Sequence, residues 1–152
     1  MKKLKPKKFL VIDGPNINML GIREVNIYGR DTYKNLLDLI DKTAMEEDLE
    51  IEHFQSNHEG DIIDFIQNNY NKVDGVVINP AGYTHTSVAI LDSLKGIDVP
   101  TVEVHISDVK SREDFRQISY VRNFAIKTFA GYGIDGYRRA IIFLKKYLEE
   151  RE

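Results

Sequence analysis

Glu103 and His105 stand two residues apart in Val102-Glu103-Val104-His105-Ile106. In a strand that spacing sends both side chains from one face. A carboxylate beside an imidazole fixes its tautomer and strengthens its hold on a proton, which suits a general acid near neutral pH. Both groups are costly to bury unless paired, so a purely structural pair would read the same way. A second candidate is Asn79-Pro80-Ala81-Gly82-Tyr83-Thr84-His85-Thr86, where an apolar run ends in a turn and a helical pattern begins. Unpaired N–H groups and the positive end of a helix dipole there would suit an anion, with His85 adding a donor. A capping turn with a surface histidine is the plainer reading. A third candidate is Arg23 with Tyr28. A phenol of pKa ~10 is a poor base until cations stabilise its anion. Arg23 could supply that field, Arg112 and Arg116 could add to it, and a loop bearing Arg23 and Tyr28 could close as a lid. Taken alone, an exposed loop tyrosine is most often an interaction or packing residue.

The elements that must position these groups alternate between two periods. Phe9–Asp13 is a compact apolar run of the kind found in strands buried on both faces. Residues 14–30 hold three glycines and no helical periodicity, a long connection of the functional kind. Asp31-Thr32 offers an N-cap to a helix carrying Leu36, Leu37, Ile40 and Ala44. Strands are expected at Leu49–Phe54, Val73–Asn79, Thr101–Ser107 and Asn123–Gly131. Helices are expected from Asp61 to Tyr70, after Thr84 or Thr86 (with Val88, Ala89, Leu91 and Leu94 inward and Gly96 just past the end), and from Ile134 to Glu150. Ser111–Phe115 reads as a helical turn, and Phe129, Tyr132 and Tyr137 read as packing residues. Five strands with helical crossovers, no repeat and no linker predict one α/β domain over 1–152 with a parallel sheet, residues 1–8 forming a lysine-rich tail. Ligands of such sheets bind beyond the carboxyl ends of the strands, which points to the segments after Asp13, Phe54, Asn79, Val104 and Ala130.

Composition excludes more than it selects. The 152 residues carry 42% hydrophobic and 30% charged side chains, which argues against disorder. Cysteine is absent, so disulfides, thiolate nucleophiles and thiolate metal sites are excluded, in keeping with a cytoplasmic location. A net charge of -3 gives no sign of general nucleic-acid affinity. The apolar run after the first lysines is shorter than the ~7–15 residues of a signal sequence or the ~20 of a membrane span. The histidines at 53, 58, 85 and 105 show no metal-binding spacing. Residues 14–21 match neither a P-loop nor a dinucleotide fingerprint.

Four separated motifs carry a more specific signal. DGPNINMLGIREVNIYG, FQSNHEGDIIDFIQ, INPAGYTHTSVAILDSL and VPTVEVHISDVKSREDFR, in that order from Phe9 to about Tyr137, resemble type II 3-dehydroquinate dehydratase. The resemblance implies a flavodoxin-like three-layer sandwich around a five-stranded parallel sheet, a dodecamer built from trimers, and neither metal nor organic cofactor. It also implies removal of water from 3-dehydroquinate to give 3-dehydroshikimate, in aromatic biosynthesis or quinate breakdown. By the same resemblance Tyr28 is the base for the C2 proton and Arg23 the lid residue that activates it. Asn16 holds the water that stabilises the enolate, and His105, oriented by Glu103, protonates the departing hydroxyl. Asn79, His85, Ile106, Ser107 and Arg116 clamp the substrate, Arg112 is a second arginine near the site, and Asp92 reaches substrate across a subunit boundary. Asn57, His58 and Glu59 match the pattern in what we read as supporting roles.

The sequence departs from the pattern at Asp13, where asparagine is commoner, and at Gln117-Ile118, where many relatives have two histidines. An electron carrier of the same architecture would need a bound flavin and would be yellow. A purely binding domain would have no reason to set Tyr28, Glu103, His105 and Arg116 beyond strand ends. An imine mechanism would need a buried lysine, and Lys127 alone among the lysines falls inside an apolar strand.

Overall fold

A computed structural model describes residues 5–22 and 24–152. Its five strands are β1 (Lys8–Asp13), β2 (Glu50–Gln55), β3 (Gly75–Asn79), β4 (Thr101–His105) and β5 (Lys127–Ala130). They form one all-parallel sheet in the order β2-β1-β3-β4-β5. The helices are α1 (Val25–Tyr28), α2 (Tyr33–Glu46), α3 (Glu59–Asn68), α4 (Val88–Ile97) and α5 (Asp135–Glu149). This is the α/β, flavodoxin-like arrangement expected, and its strand order reverses between β1 and β3.

The alternation of β1 explains the three layers. Phe9 and Val11 face α2 and α5 in a cluster with Leu36, Ile40, Tyr137, Ile141 and Leu144. Leu10 and Ile12 face α3 and α4 in a second cluster with Ile62, Ile66, Ile90 and Leu94. β1 and β3 are therefore apolar on both faces, as a central parallel strand must be.

Local chemistry fixes the element ends. Thr32 caps α2 with a complete capping box: its hydroxyl accepts from the Asn35 amide N–H while the Asn35 side chain accepts from the Thr32 N–H. α4 departs from expectation. Its N-cap is Ser87, whose hydroxyl accepts from the Ile90 N–H, rather than Thr84 or Thr86. That start turns Ile90, Leu91, Leu94 and Ile97 inward and leaves Val88 and Ala89 exposed. Gly96 lies inside the helix, and Asp98 in the left-handed region closes it. β5 is shorter than the expected 123–131 because Val121–Asn123 forms a 3-10 turn whose carbonyl at Val121 accepts from Phe124 and Ala125. β4 ends at His105, two residues earlier than expected. α3 starts two residues early, at Glu59. The stretch 14–30 is not all irregular: it contains a 3-10 turn, Ile17–Met19, and the single turn α1. β1 starts at Lys8, inside the expected tail, and Lys7 pairs with Glu152.

Among the described residues no helix is long and apolar enough to cross a membrane.

Candidate active site

β1 and β3 end side by side, with Asp13 in register with Asn79 and the Gly14 N–H donating to the Asn79 carbonyl at 2.8 Å. A β-carbon on Gly14 would lie 2.2 Å from the Pro80 carbonyl oxygen, so only glycine lets the two strand ends run this close together here. Above them opens a cavity of about 260 Å³. Its walls come from three segments: Pro15 to Tyr28 after β1, Asn79 to His85 after β3, and His105 to Arg116 after β4. The segments after β2 and β5 do not line it, contrary to expectation, because the strand order puts those two at the sheet edges. The β2 segment acts from behind instead: Asn57 Oδ1 accepts from the Asn16 N–H at 3.0 Å, and the Asn57 carbonyl accepts from the Tyr83 hydroxyl at 2.8 Å. Asn16 itself sits in the left-handed region at φ 72, where asparagine is tolerated.

Of the expected site residues, Asn16, Tyr28, Asn79, His85, His105, Ile106, Ser107, Arg112 and Arg116 all line this cavity. Arg23 lies outside the described residues. Asp92 does not come to the cavity within one chain. It is exposed on α4 and lines a separate hollow between α3 and α4 with Ile63, Tyr70 and Ala89.

On one wall the Arg112 guanidinium donates to the Tyr28 hydroxyl at 3.3 Å and stands 5.4 Å from the ring centroid. The same nitrogen reaches Ser107 Oγ at 3.3 Å. A guanidinium charge thus lies beside both the hydroxyl and the ring of Tyr28.

His105 makes another wall, and Glu103 lies behind it without exposed surface. Glu103 Oε2 is 2.5 Å from His105 Nε2, which leaves Nδ1 as the ring nitrogen that can serve the cavity. Burial pushes the Glu103 carboxyl up. The hydrogen bond and charge of His105, with Ser119 and Arg122, outweigh that and hold it at about 2. The carboxylate is therefore ionised throughout the working range.

His85 behaves differently from expectation. Its Nδ1 lies 2.6 Å from the Ile118 carbonyl, which can only accept, so Nδ1 carries the proton. Burial disfavours its charged form, and Arg116 and His105 add to this against the pull of that carbonyl. In the neutral ring Nε2 is then bare, and it accepts a hydrogen bond rather than donating one. The anion site expected at the helix start is not built either. The Thr86 and Ser87 N–H groups both bond to the Tyr83 carbonyl. Arg116 supplies positive charge instead, shared with Glu113 at 2.5 Å.

Beneath the cavity lies a polar network that the sequence reading missed. Tyr137, expected only to pack, is fully buried and donates from its hydroxyl to Asp13 Oδ1 at 2.5 Å. Asn79 Nδ2 donates to that same hydroxyl oxygen at 2.9 Å, and Asn79 Oδ1 accepts from the Ala81 N–H at 3.0 Å. His53 Nε2 is 2.7 Å from Asp13 Oδ2, with Tyr33 at the far side of the ring. The signal was Asp13 itself, a charged residue at the end of an apolar strand, but its partners come from β2 and α5 and need the register to be seen. Among the described residues no three His, Asp or Glu side chains gather as a metal-ligand set.

Comparison with known proteins points to one family. The family described as dehydroquinase class II matches residues 7–145. A 3-dehydroquinate dehydratase of Endomicrobium trichonymphae is 53% identical over 135 residues, covering 89% of this chain and 94% of its own. One from Clostridium acetobutylicum is 50% identical over 143 residues, covering 94% and 99%. The crystal structure of a type II dehydroquinase from Butyrivibrio crossotus superposes with a TM-score of 0.90 at 47% identity, covering 92% of this chain and 98% of that one. With its cavity at the carboxyl ends of β1, β3 and β4, this chain belongs to the class II dehydroquinase family.

Proposed function

We propose that the chain is a type II 3-dehydroquinate dehydratase, a carbon–oxygen hydro-lyase that converts 3-dehydroquinate to 3-dehydroshikimate through an enolate and without an imine. The observation that carries this reading is the presence on one cavity of a tyrosine hydroxyl held by a guanidinium and a histidine held by a buried carboxylate. The two proton transfers divide between them. The Tyr28 phenolate, stabilised by Arg112 and Arg23, removes the C2 proton alpha to the ketone. The electron pair moves into the enolate, which a water held by Asn16 stabilises; such electrostatic stabilisation contributes on the order of 10²–10³ in rate per donor. Hydroxide leaves poorly, so His105 gives its proton to the C1 hydroxyl as the carbon–oxygen bond breaks, and water departs. A positioned acid adds roughly 10²–10⁴-fold.

Asn79, Arg116 and the Ile106-Ser107 backbone grip the carboxylate and hydroxyls of the substrate, and His85 accepts from a hydroxyl. No lysine lines the cavity among the described residues, and Lys127 is exposed beside Phe129 and Phe143. Asp92 reaches the substrate of a neighbouring copy in a dodecamer of four trimers. The single domain over 1–152 acts in the cytoplasm, on the shikimate route to aromatic amino acids or in quinate breakdown.

The test is direct. Purified protein with 3-dehydroquinate should generate the ultraviolet absorbance of the conjugated enone, and absence of turnover in the wild type overturns the proposal. Tyr28→Phe and His105→Ala should each lose at least ~10²-fold in kcat. Borohydride in the presence of substrate should leave activity intact; inactivation would point to a lysine imine.

A further inference from the structure

We propose that Arg122 is a positioning residue for the general acid, setting through Glu103 how tightly His105 holds its proton. The inference rests on the reading of His105 as that acid. Five hydrogen bonds converge on Glu103. Oε2 takes His105 Nε2 at 2.5 Å, Ser119 Oγ at 2.7 Å and Arg122 Nη2 at 3.3 Å. Oε1 takes Arg122 Nε at 3.1 Å and Thr128 Oγ1 at 3.0 Å. The fork of Arg122 thus spans both oxygens, and the carboxylate's single charge is shared between an imidazole that titrates and a guanidinium that does not.

Division of labour follows from the geometry. Ser119 and Thr128 are neutral and place one donor on each oxygen, so they hold the carboxylate plane without changing its charge. Arg122 changes the charge. With it in place, Glu103 attracts the His105 proton less strongly and the imidazolium is the stronger acid. Without it, the full carboxylate charge falls to His105. The Arg122 side chain is 47% exposed, so solvent screens part of the effect.

The other charges around the pair stay constant in such a comparison. Tyr28, His85, Arg112, Arg116 and Glu24 face His105 across the cavity. Lys110, Lys127 and Asp108 share a groove with Arg122 alongside β5.

The experiment is a histidine titration by carbon-13 NMR on the whole protein without substrate, with the His105 resonance assigned by its loss in His105→Asn. Arg122→Gln should raise the His105 midpoint by about half to one pH unit, a roughly three- to tenfold gain in proton affinity. Arg122→Lys should return it most of the way, and the difference should shrink in high salt. The high-pH limb of the kcat profile should move upward by a matching amount. A His105 midpoint that stays put or falls in Arg122→Gln, with Arg122→Lys folded and equally unmoved, overturns the proposal. A purely structural Arg122 would lower stability and leave the midpoint where it was. Full turnover in His105→Asn would strike the reading of His105 as the acid, and the titration would still report on Arg122.

Discussion

Replacing His53 with leucine would take from Asp13 the group at Oδ2 and leave a fully buried carboxylate with Tyr137 as its remaining side-chain donor. Breaking a buried pair from one side leaves charge uncompensated, so His53→Leu should cost ~2–4 kcal/mol in urea unfolding. Adding Asp13→Asn should recover a substantial part, because an unpaired amide is cheaper to bury than an unpaired carboxylate. If the double variant is no more stable than His53→Leu, charge is not what His53 answers. The pair also explains how this chain accommodates a buried aspartate at the end of an apolar strand. At this scale the sequence showed well which side chains gather at the cavity. Glu103 and His105 share a face because strands alternate, and that follows from spacing alone. Arg122, Ser119 and Thr128 around Glu103 were not legible, since they lie 16 to 25 residues away and meet it through a turn and a strand register. The tautomer of His85 was equally hidden, being set by one carbonyl at Ile118.

Gly14 ties two elements. Gly14→Ala would drive a methyl into the Pro80 carbonyl, separating the ends of β1 and β3 and shifting the turn that carries Asn79 and Ala81 into the cavity. Overpacking of this kind should cost ~1–3 kcal/mol by denaturant unfolding, with KM raised as the turn moves. A stability loss with unchanged KM would show the turn to be independent of β1. Element existence was readable because apolar runs of period one and helices of period 3.6 leave distinct traces, as in Phe9–Asp13 and Leu36–Ile40. Ends were less so. Thr84, Thr86 and Ser87 are chemically similar caps, and the choice falls to Ser87 because Tyr83 holds the preceding turn through the Thr86 and Ser87 N–H groups. The helical turn that carries Tyr28 has too few residues to show a period.

For the molecule as a whole, Glu103 makes stability depend on acid. Its carboxyl sits at about 2 in the fold against an ordinary value near 4.5, so the stability it contributes is complete above about pH 4.5. That contribution is lost as pH falls from there toward about 2. Urea midpoints should therefore drop across that window, and Glu103→Gln should flatten the dependence; equal slopes in the two proteins would rule Glu103 out as the source. Strand order was beyond the sequence, because each strand reads alike whichever neighbours it takes, and the order decides that β2 and β5 stand outside the cavity. The parallel sheet has a practical consequence. Every strand delivers its carboxyl end to the rim where the cavity opens, while Lys7, leading into β1, meets Glu152, following α5, at the opposite rim. A fluorophore, affinity handle or solid support attached beside that ion pair would hang from the base of the molecule and leave the mouth clear for small molecules to enter and depart.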